Sequence, residues 1–564
     1  MKYSNSDTRR CIQSTSGGLI LALVFLVASP STWAQQSADA AAQASSGRNG
    51  TLDFDVILWR RLLVNRTASN GTDDIGEVSL PSIVATMEFL LAAPLQLNAS
   101  LNRVPEVEVE AFWDIVVSAR ALAEENERPV AGARVDLVAA VDALTAKVTA
   151  LPTHLCWPVL RRVILAALVQ RRLSYGAFSP AASAAVGRLA VQLFRLHRTG
   201  AARKGVIDFF HVSKAGGTSF CQMAKLNGCR TESFGARRNC LIRDFDDVPR
   251  WVNNSLHTSL APTGLRTPWF ANWGNKLRRD MSCNLRKRFM LRRRFNIAAN
   301  EFTLYGAQAT PRNVHTCPGN LNVLQLRHPY TRLRSHIMWV WALYDHHFKE
   351  QAAAFFPSRG AAHWAELLPA ATHNYYIRSL LGEQVYYLSP EELNGTHLAT
   401  ARLALLQFDV LLLLEEPDMN ALLFEMAVGW SLGFGEVHAR TSSQLHEVGA
   451  RGLPGAEDWA ALQQANQLDM QLYRFGALLA LLDSVVFDIA REAGLGAGYT
   501  ALGRAGGAAG GGGGGSGLQA SDQAHPGDDE NWEVVGGANV TQRSCGFVSE
   551  YETDRVVPAH IVIR

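Results

Sequence analysis

Residues 206–220, VIDFFHVSKAGGTSF, constrain this chain more than any other stretch. The first seven are branched, aromatic or apolar almost without a break, the pattern of a parallel strand buried on both faces. Gly216 and Gly217 follow, and then a helical stretch. A strand, a glycine turn and a helix in that order gather backbone amides and the positive end of a helix dipole around one point, which suits an oxyanion. Thr218 and Ser219 can add hydroxyl donors, and Lys214 a mobile positive charge. The lysine precedes the glycines. A GxxxxGK[ST] loop has its lysine after them, so this is a different kind of phosphate loop.

Residues 295–304, 321–326 and 410–414 are further strand candidates, separated by helical stretches. Strands alternating with helices predict an α/β fold with a parallel sheet flanked by helices. Upstream, apolar residues recur at helical spacing over roughly 54–64, 79–92, 107–125, 137–148, 159–173 and 180–197, with Pro94, Pro129, Pro152 and Pro180 between them. This reads as a mainly helical N-terminal domain over 52–200, its role that of packing or a stem.

A second motif follows a predicted strand: LRHPYTRLRS at residues 326–335. An arginine at a strand end and a serine on the next helix can grip one phosphate from two sides. Together, HVSKAGGTSF and RHPYTRLRS resemble the 5′-phosphosulfate and 3′-phosphate motifs of Golgi-type sulfotransferases, which use 3′-phosphoadenosine 5′-phosphosulfate (PAPS). The likeness is nearest the carbohydrate and heparan branch, with Ser213 where that branch usually has proline. Fainter echoes are NYYIRSLLG at 374–382, LLLLEE at 411–416, and Asn466, Asp469, Leu472 and Tyr473. The resemblance covers 204–493 and implies a sulfotransferase domain with a P-loop-like sheet. It implies PAPS as co-substrate, bound by Lys214, Gly216, Gly217, Thr218, Ser219, Arg327 and Ser335.

Such transfer needs stabilisation of charge on the leaving phosphate, which Lys214 supplies, and a base for the acceptor hydroxyl. The family's base lies between the two motifs. Glu301, at the end of a predicted strand, fits that place if burial raises its pKa; His257 and His315 are the alternatives. No Cys or His spacing suits a metal. The implied acceptor is a glycan hydroxyl, with a tyrosine phenol as the alternative acceptor and an inactive PAPS-binding protein as the alternative function. Residues 276–294 hold nine Lys or Arg against one Asp, which would attract an acidic or already sulfated glycan unless they form an ordinary solvated helix face. Nucleic acid is not expected as a partner.

Net charge is only +3 over 564 residues, so bulk charge names no partner. Lys2, Arg9 and Arg10 precede an apolar run at 19–28 and a small residue at Ala34, the layout of a secretory signal peptide or a short signal-anchor over 1–34. Seven N-x-S/T sequons, at Asn49, Asn65, Asn70, Asn98, Asn253, Asn394 and Asn539, accord with the secretory pathway. Golgi residence and membrane association follow from the resemblance. Of eight cysteines, Cys11 lies in the leader and five fall between 221 and 317, which predicts one to three disulfides and at least one unpaired thiol. A linker at 35–51, a glycine-rich linker at 494–527 and a tail at 528–564 complete the layout.

Overall fold

The computed structural model describes residues 54–62, 80–97, 106–124, 136–151, 157–234, 239–245, 248–263, 265, 281–304, 315–433, 443–496 and 544–550. The leader, the linker at 35–51, all but the first three residues of the glycine-rich linker, Cys156 and most of the tail lie outside these residues. Helices α1 (Phe54–Leu62), α2 (Leu80–Ala92), α3 (Glu106–Glu124), α4 (Leu137–Ala150), α5 (Trp157–Tyr175) and α6 (Pro180–Lys204) come first. They fall close to the windows given by apolar spacing. The start of α6 has a local cause: Ser179 Oγ accepts from the Ala182 amide (3.2 Å), and Pro180 presets the first turn. Its end has one too, since Gly205 adopts φ +68°, a left-handed cap that glycine tolerates best. Two residues later the chain enters the sheet.

Strands β1 (Ile207–Phe210), β2 (Ile297–Asn300), β3 (Leu321–Leu326) and β4 (Val410–Leu413) form a parallel sheet in the order β2-β1-β3-β4. Ile207 lies opposite Ile297 on one side and Leu321 on the other, and Val323 lies opposite Val410. The described structure is thus mostly helical around a small parallel sheet, a mixed α/β fold. β2 is shorter than the predicted 295–304. The Asn300 side chain bonds the Thr303 carbonyl (3.0 Å) and the Phe302 amide (3.3 Å), which turns the chain out of the strand.

Helices before and after the sheet share one hydrophobic core with it. Its centre is a long C-terminal helix, Gln467–Glu492, packed against β4 and against α1, α5 and α6. A buried polar network crosses the same junction. Asp483 accepts from Arg161 Nε (2.8 Å) and Arg162 Nη2 (2.7 Å). Arg161 also bonds the Asp409 carbonyl (2.9 Å), and Lys204 pairs with the Asp409 carboxylate (2.6 Å). That carboxylate accepts the Asn322 amide of β3 (2.7 Å).

His197 belongs to this network as a neutral ring. Arg161 Nη1 donates to its Nδ1 (3.2 Å), and its Nε2–H donates to the Ala427 carbonyl (2.7 Å). Burial, then Arg161, lowers its pKa to about 4. The unfolded chain protonates it near 6.5, so its stabilising share is complete above pH 6.5 and fades as pH falls towards 4. At about pH 5 the loss should reach roughly 2 kcal/mol. Urea unfolding at pH 7 and pH 5 checks this; His197→Gln should flatten the pH dependence.

Three disulfides join the described cysteines: Cys221–Cys240, Cys229–Cys545 and Cys283–Cys317. They suit a chain that folds in an oxidising compartment, as in secreted or secretory-pathway proteins. Cys229–Cys545 brings the turn Gly546–Glu550 onto the body, where Phe547 packs against Gly429 so closely that a Cβ on that glycine would lie 2.7 Å from the ring. Removing this long-range cross-link with Cys545→Ser should lower stability by about 2–4 kcal/mol. Thermal melts of the variant and wild type under non-reducing conditions read the difference.

Candidate active site

Connections leave β1 towards β2 and β3 towards β4, in opposite directions, so a crevice opens at the carboxyl ends of β1 and β3. The two sequence motifs flank that crevice. The first is the turn at residues 211–216 and helix α7 (Gly217–Leu226); the second is Arg327, His328 and helix α9 (Pro329–Phe348), with α8 (Cys283–Arg292) preceding β2.

No side chain caps the N-terminus of α7. Its first internal backbone bond runs from Phe220 N–H to the Gly216 carbonyl (3.1 Å), so the helix itself uses none of the Gly217, Thr218 and Ser219 amides. Both glycines are required by sterics. Gly216 has φ +86°, and a Cβ there would lie 2.3 Å from Gln325 Nε2; a Cβ on Gly217 would lie 2.0 Å from the His211 ring. Gln325, from β3, donates to the Ala215 carbonyl (2.8 Å) and fixes the turn from below.

Lys214 sits in the left-handed region at φ +67°, a strained conformation for a residue with a Cβ. Its Nζ lies 4.8 Å from the centre of the Trp339 ring on α9. Arg327 Nη1 donates to the Lys214 carbonyl (3.0 Å), and its Nε donates to Thr331 Oγ1 (3.3 Å). Tyr376 locks the Arg327 backbone: its hydroxyl accepts from the amide (2.8 Å) and donates to the carbonyl (2.7 Å). Ser335 is half-buried in the second turn of α9, and no hydrogen bond joins it to Arg327.

Thr218 and Ser219 are half-buried at the start of α7. The Thr218 hydroxyl donates to Asn239 (2.9 Å), so it is engaged within the protein. The neighbouring Cys221–Cys240 disulfide brings that segment onto the helix.

Glu301 ends beside the loop because β2 pairs directly with β1. It is buried, at 8% exposure. Ser213 Oγ donates to Oε1 (3.2 Å), and His211 Nδ1 lies 3.7 Å from Oε2. Trp251 Nε1 donates to Ser213 Oγ (3.2 Å) and to the Tyr375 hydroxyl (3.1 Å), and Tyr375 donates to Ser213 (3.1 Å). Burial raises the Tyr375 pKa. On α9, His336 is pushed well below the usual histidine range by burial, then by Arg332 and Lys214, so it stays neutral.

The two other histidines lie elsewhere. His257 is wholly buried, bonded through Nδ1 to the Tyr344 hydroxyl (2.8 Å) and stacked on Phe355 at 4.6 Å. His315 precedes the amino end of β3, the opposite edge of the sheet from the crevice.

The three fainter sequence echoes meet beneath Arg327. Asn374 N–H donates to Asn466 Oδ1 (3.0 Å), while the Asp469 amide donates to Asn374 Oδ1 (3.0 Å). The Asp469 carboxylate accepts the Tyr376 and Ile377 amides at the start of α10 (Tyr375–Leu380), at 2.8 and 3.1 Å. Burial raises its pKa to about 6. Glu415, raised by burial, accepts the His328 amide (2.8 Å) and the Tyr473 hydroxyl (3.1 Å).

No protein-family model matches this chain, and no curated protein or solved structure does. The likeness to sulfotransferases therefore rests on the sequence motifs alone. Sequence reasoning missed His211, Gln325, Trp339 and Tyr376. His211 stands inside the first motif and Gln325 is a polar residue in an apolar strand. Tyr376 stands inside the NYYIRSLLG segment, and Trp339 carries no such signal.

Proposed function

We propose that this protein transfers the sulfuryl group of PAPS to a hydroxyl of a glycan in the secretory pathway, in the Golgi by resemblance. The observation that carries the reading is the bond from Arg327 to the Lys214 carbonyl, which ties the two phosphate-type motifs together at the β1/β3 crevice. The residues suit a nucleotide with separate 5′ and 3′ phosphate groups. The α7 amides and Lys214 serve the 5′ end in a P-loop-like cradle, and Arg327 and Ser335, from the β3 side of the crevice, serve the 3′ phosphate.

PAPS, when bound, supplies a sulfuryl group whose bond to the bridging oxygen breaks as the acceptor oxygen bonds to sulfur. Lys214 and the Gly217, Thr218 and Ser219 amides hold the negative charge left on the phosphate. Glu301 takes the proton of the acceptor hydroxyl, with Ser213 orienting the carboxylate.

One observation favours a second reading. Both Glu301 oxygens face protein groups and the residue is buried, as in a protein that binds PAPS or its product without turnover. Transfer of labelled sulfate from PAPS to a panel of glycans and tyrosine peptides separates the two. Labelled glycan supports the proposal, and labelled peptide alone redirects it to a tyrosine acceptor. Nucleotide binding with no labelled product favours the second reading.

A further inference from the structure

The described part of the basic run lies away from the crevice. Helix α8 and the turn after it lead into the amino end of β2, whereas the phosphate-type loops occupy the carboxyl ends of the strands. Arg288, Arg292, Arg293 and Arg294 are exposed there; Lys276, Arg278 and Arg279 lie outside the described residues. The fold adds two arginines that sequence spacing does not reveal. Exposed Arg230 reaches the same edge, because its carbonyl accepts the Asn296 and Ile297 amides (2.9 and 3.3 Å). Exposed Arg203 lies in the last turn of α6, four residues before Ile207, whose amide bonds the Asn296 carbonyl (2.8 Å).

This edge is firmly built. Cys283–Cys317 pins the start of α8 to the segment before β3, and Lys287 Nζ donates to the Gly319 carbonyl (2.8 Å). Arg286 is buried over Phe245 (4.2 Å), and Arg293 covers Phe289 (5.4 Å). Among the described residues, arginines outnumber the acidic groups of the surrounding elements at this edge. Asp409 is buried against Lys204, and Glu232 is exposed and pairs with Arg243 (3.8 Å). Asp208 and Asp244 are half-buried.

We infer that the amino edge of the sheet, formed by Arg203, Arg230, Arg288, Arg292, Arg293 and Arg294, is a second contact for a linear polyanionic glycan. The inference rests on the glycan reading above and specifies the acceptor as an acidic chain long enough to reach both edges. Strands of this length separate the edges by about 13–20 Å. The patch therefore holds a part of the chain well removed from the reacting hydroxyl. Screened guanidinium contacts of this kind are individually weak and act together.

The test is binding of size-fractionated heparin oligosaccharides, without PAPS, at low and physiological salt. Dodecasaccharide should bind tighter than disaccharide. The variants Arg288→Gln/Arg292→Gln/Arg294→Asn and Arg203→Gln/Arg230→Gln should each weaken dodecasaccharide binding, by about tenfold together at low salt. The melting shift produced by adenosine 3′,5′-bisphosphate in the same variants checks that they remain folded. Equal binding of the two lengths, or variants that bind as wild type, would overturn the inference. So would binding to anionic lipid vesicles in place of the oligosaccharides. No turnover is measured, so absence of transferase activity leaves this result intact and bears on the catalytic proposal alone.

Discussion

Lys214→Ala is expected to lower sulfuryl transfer by about 10²- to 10³-fold, the usual effect of removing one donor from a site where charge develops. The substitution is unusually clean. Lys214 touches Arg327 through its main-chain carbonyl, which alanine keeps. Its φ of +67° strains any residue bearing a Cβ, so alanine inherits the strain and adds none of its own. The side chain contributes an ammonium lying over Trp339, and that ammonium is what the variant loses. Product release and nucleotide affinity should change far less than the transfer rate, because the α7 amides and Arg327 remain. Steady-state transfer of labelled sulfate and the melting shift with adenosine 3′,5′-bisphosphate measure the two effects separately. Full activity in Lys214→Ala would end the mechanism, whereas full activity in Glu301→Gln would remove only the assignment of the base.

The parts legible in the sequence are those set by local chemistry. β1 is readable because a central parallel strand is apolar along nearly its whole length, here apart from Asp208, and β3 because the same holds at residues 321–326 apart from Asn322 and Gln325. α6 is readable at its start, at Pro180, whereas apolar spacing ends its window at 197 and the helix runs on to Lys204. What spacing cannot express is pairing across the chain. Arg327 looks, in sequence, like one half of a grip completed by Ser335; in the fold its guanidinium reaches Lys214 and Thr331. Thr218 looks like a phosphate donor, yet Asn239 takes its hydroxyl. Glu301 reads as a strand-end carboxylate, and the sheet order brings it against Ser213 and His211. The basic run reads as one feature, although its described arginines share an edge with Arg203 and Arg230 from other segments. Each of these depends on strand order or on a long-range hydrogen bond, and neither leaves a periodic trace.

The change from helical pattern to strand pattern near Gly205 is a change of local structure that packing does not respect, and Asp483→Leu should expose how strongly the two sides are joined. Asp483 is 1% exposed and holds Arg161 and Arg162, themselves 1% and 0% exposed. Burial alone would raise its pKa, but the two guanidinium groups outweigh that and hold the carboxyl below its ordinary range. Leucine in its place leaves two buried cations with carbonyl partners but no counter-charge. Loss of one member of a buried ion pair removes about 3–5 kcal/mol, a large fraction of the roughly 5–15 kcal/mol that stabilises a typical domain. Urea unfolding should register a drop of this size. If Asp483→Leu does not fold, Arg161→Met/Arg162→Leu/Asp483→Leu keeps the question answerable, since replacing the whole set by apolar residues is often neutral. Recovery in the triple variant would show that the penalty comes from stranded charge. Failure to recover would instead assign the loss to the carbonyl bonds that Arg161 and Arg162 make to Asp409 and Leu406. Through Lys204, Asp409 and Asn322 the same network continues into β3, the strand that carries Gln325 to the loop and ends at Arg327. A helix-side substitution far from the crevice should therefore loosen the phosphate-type loop as well as the fold, and amide exchange at residues 214–219 should rise in Asp483→Leu under conditions where it remains folded.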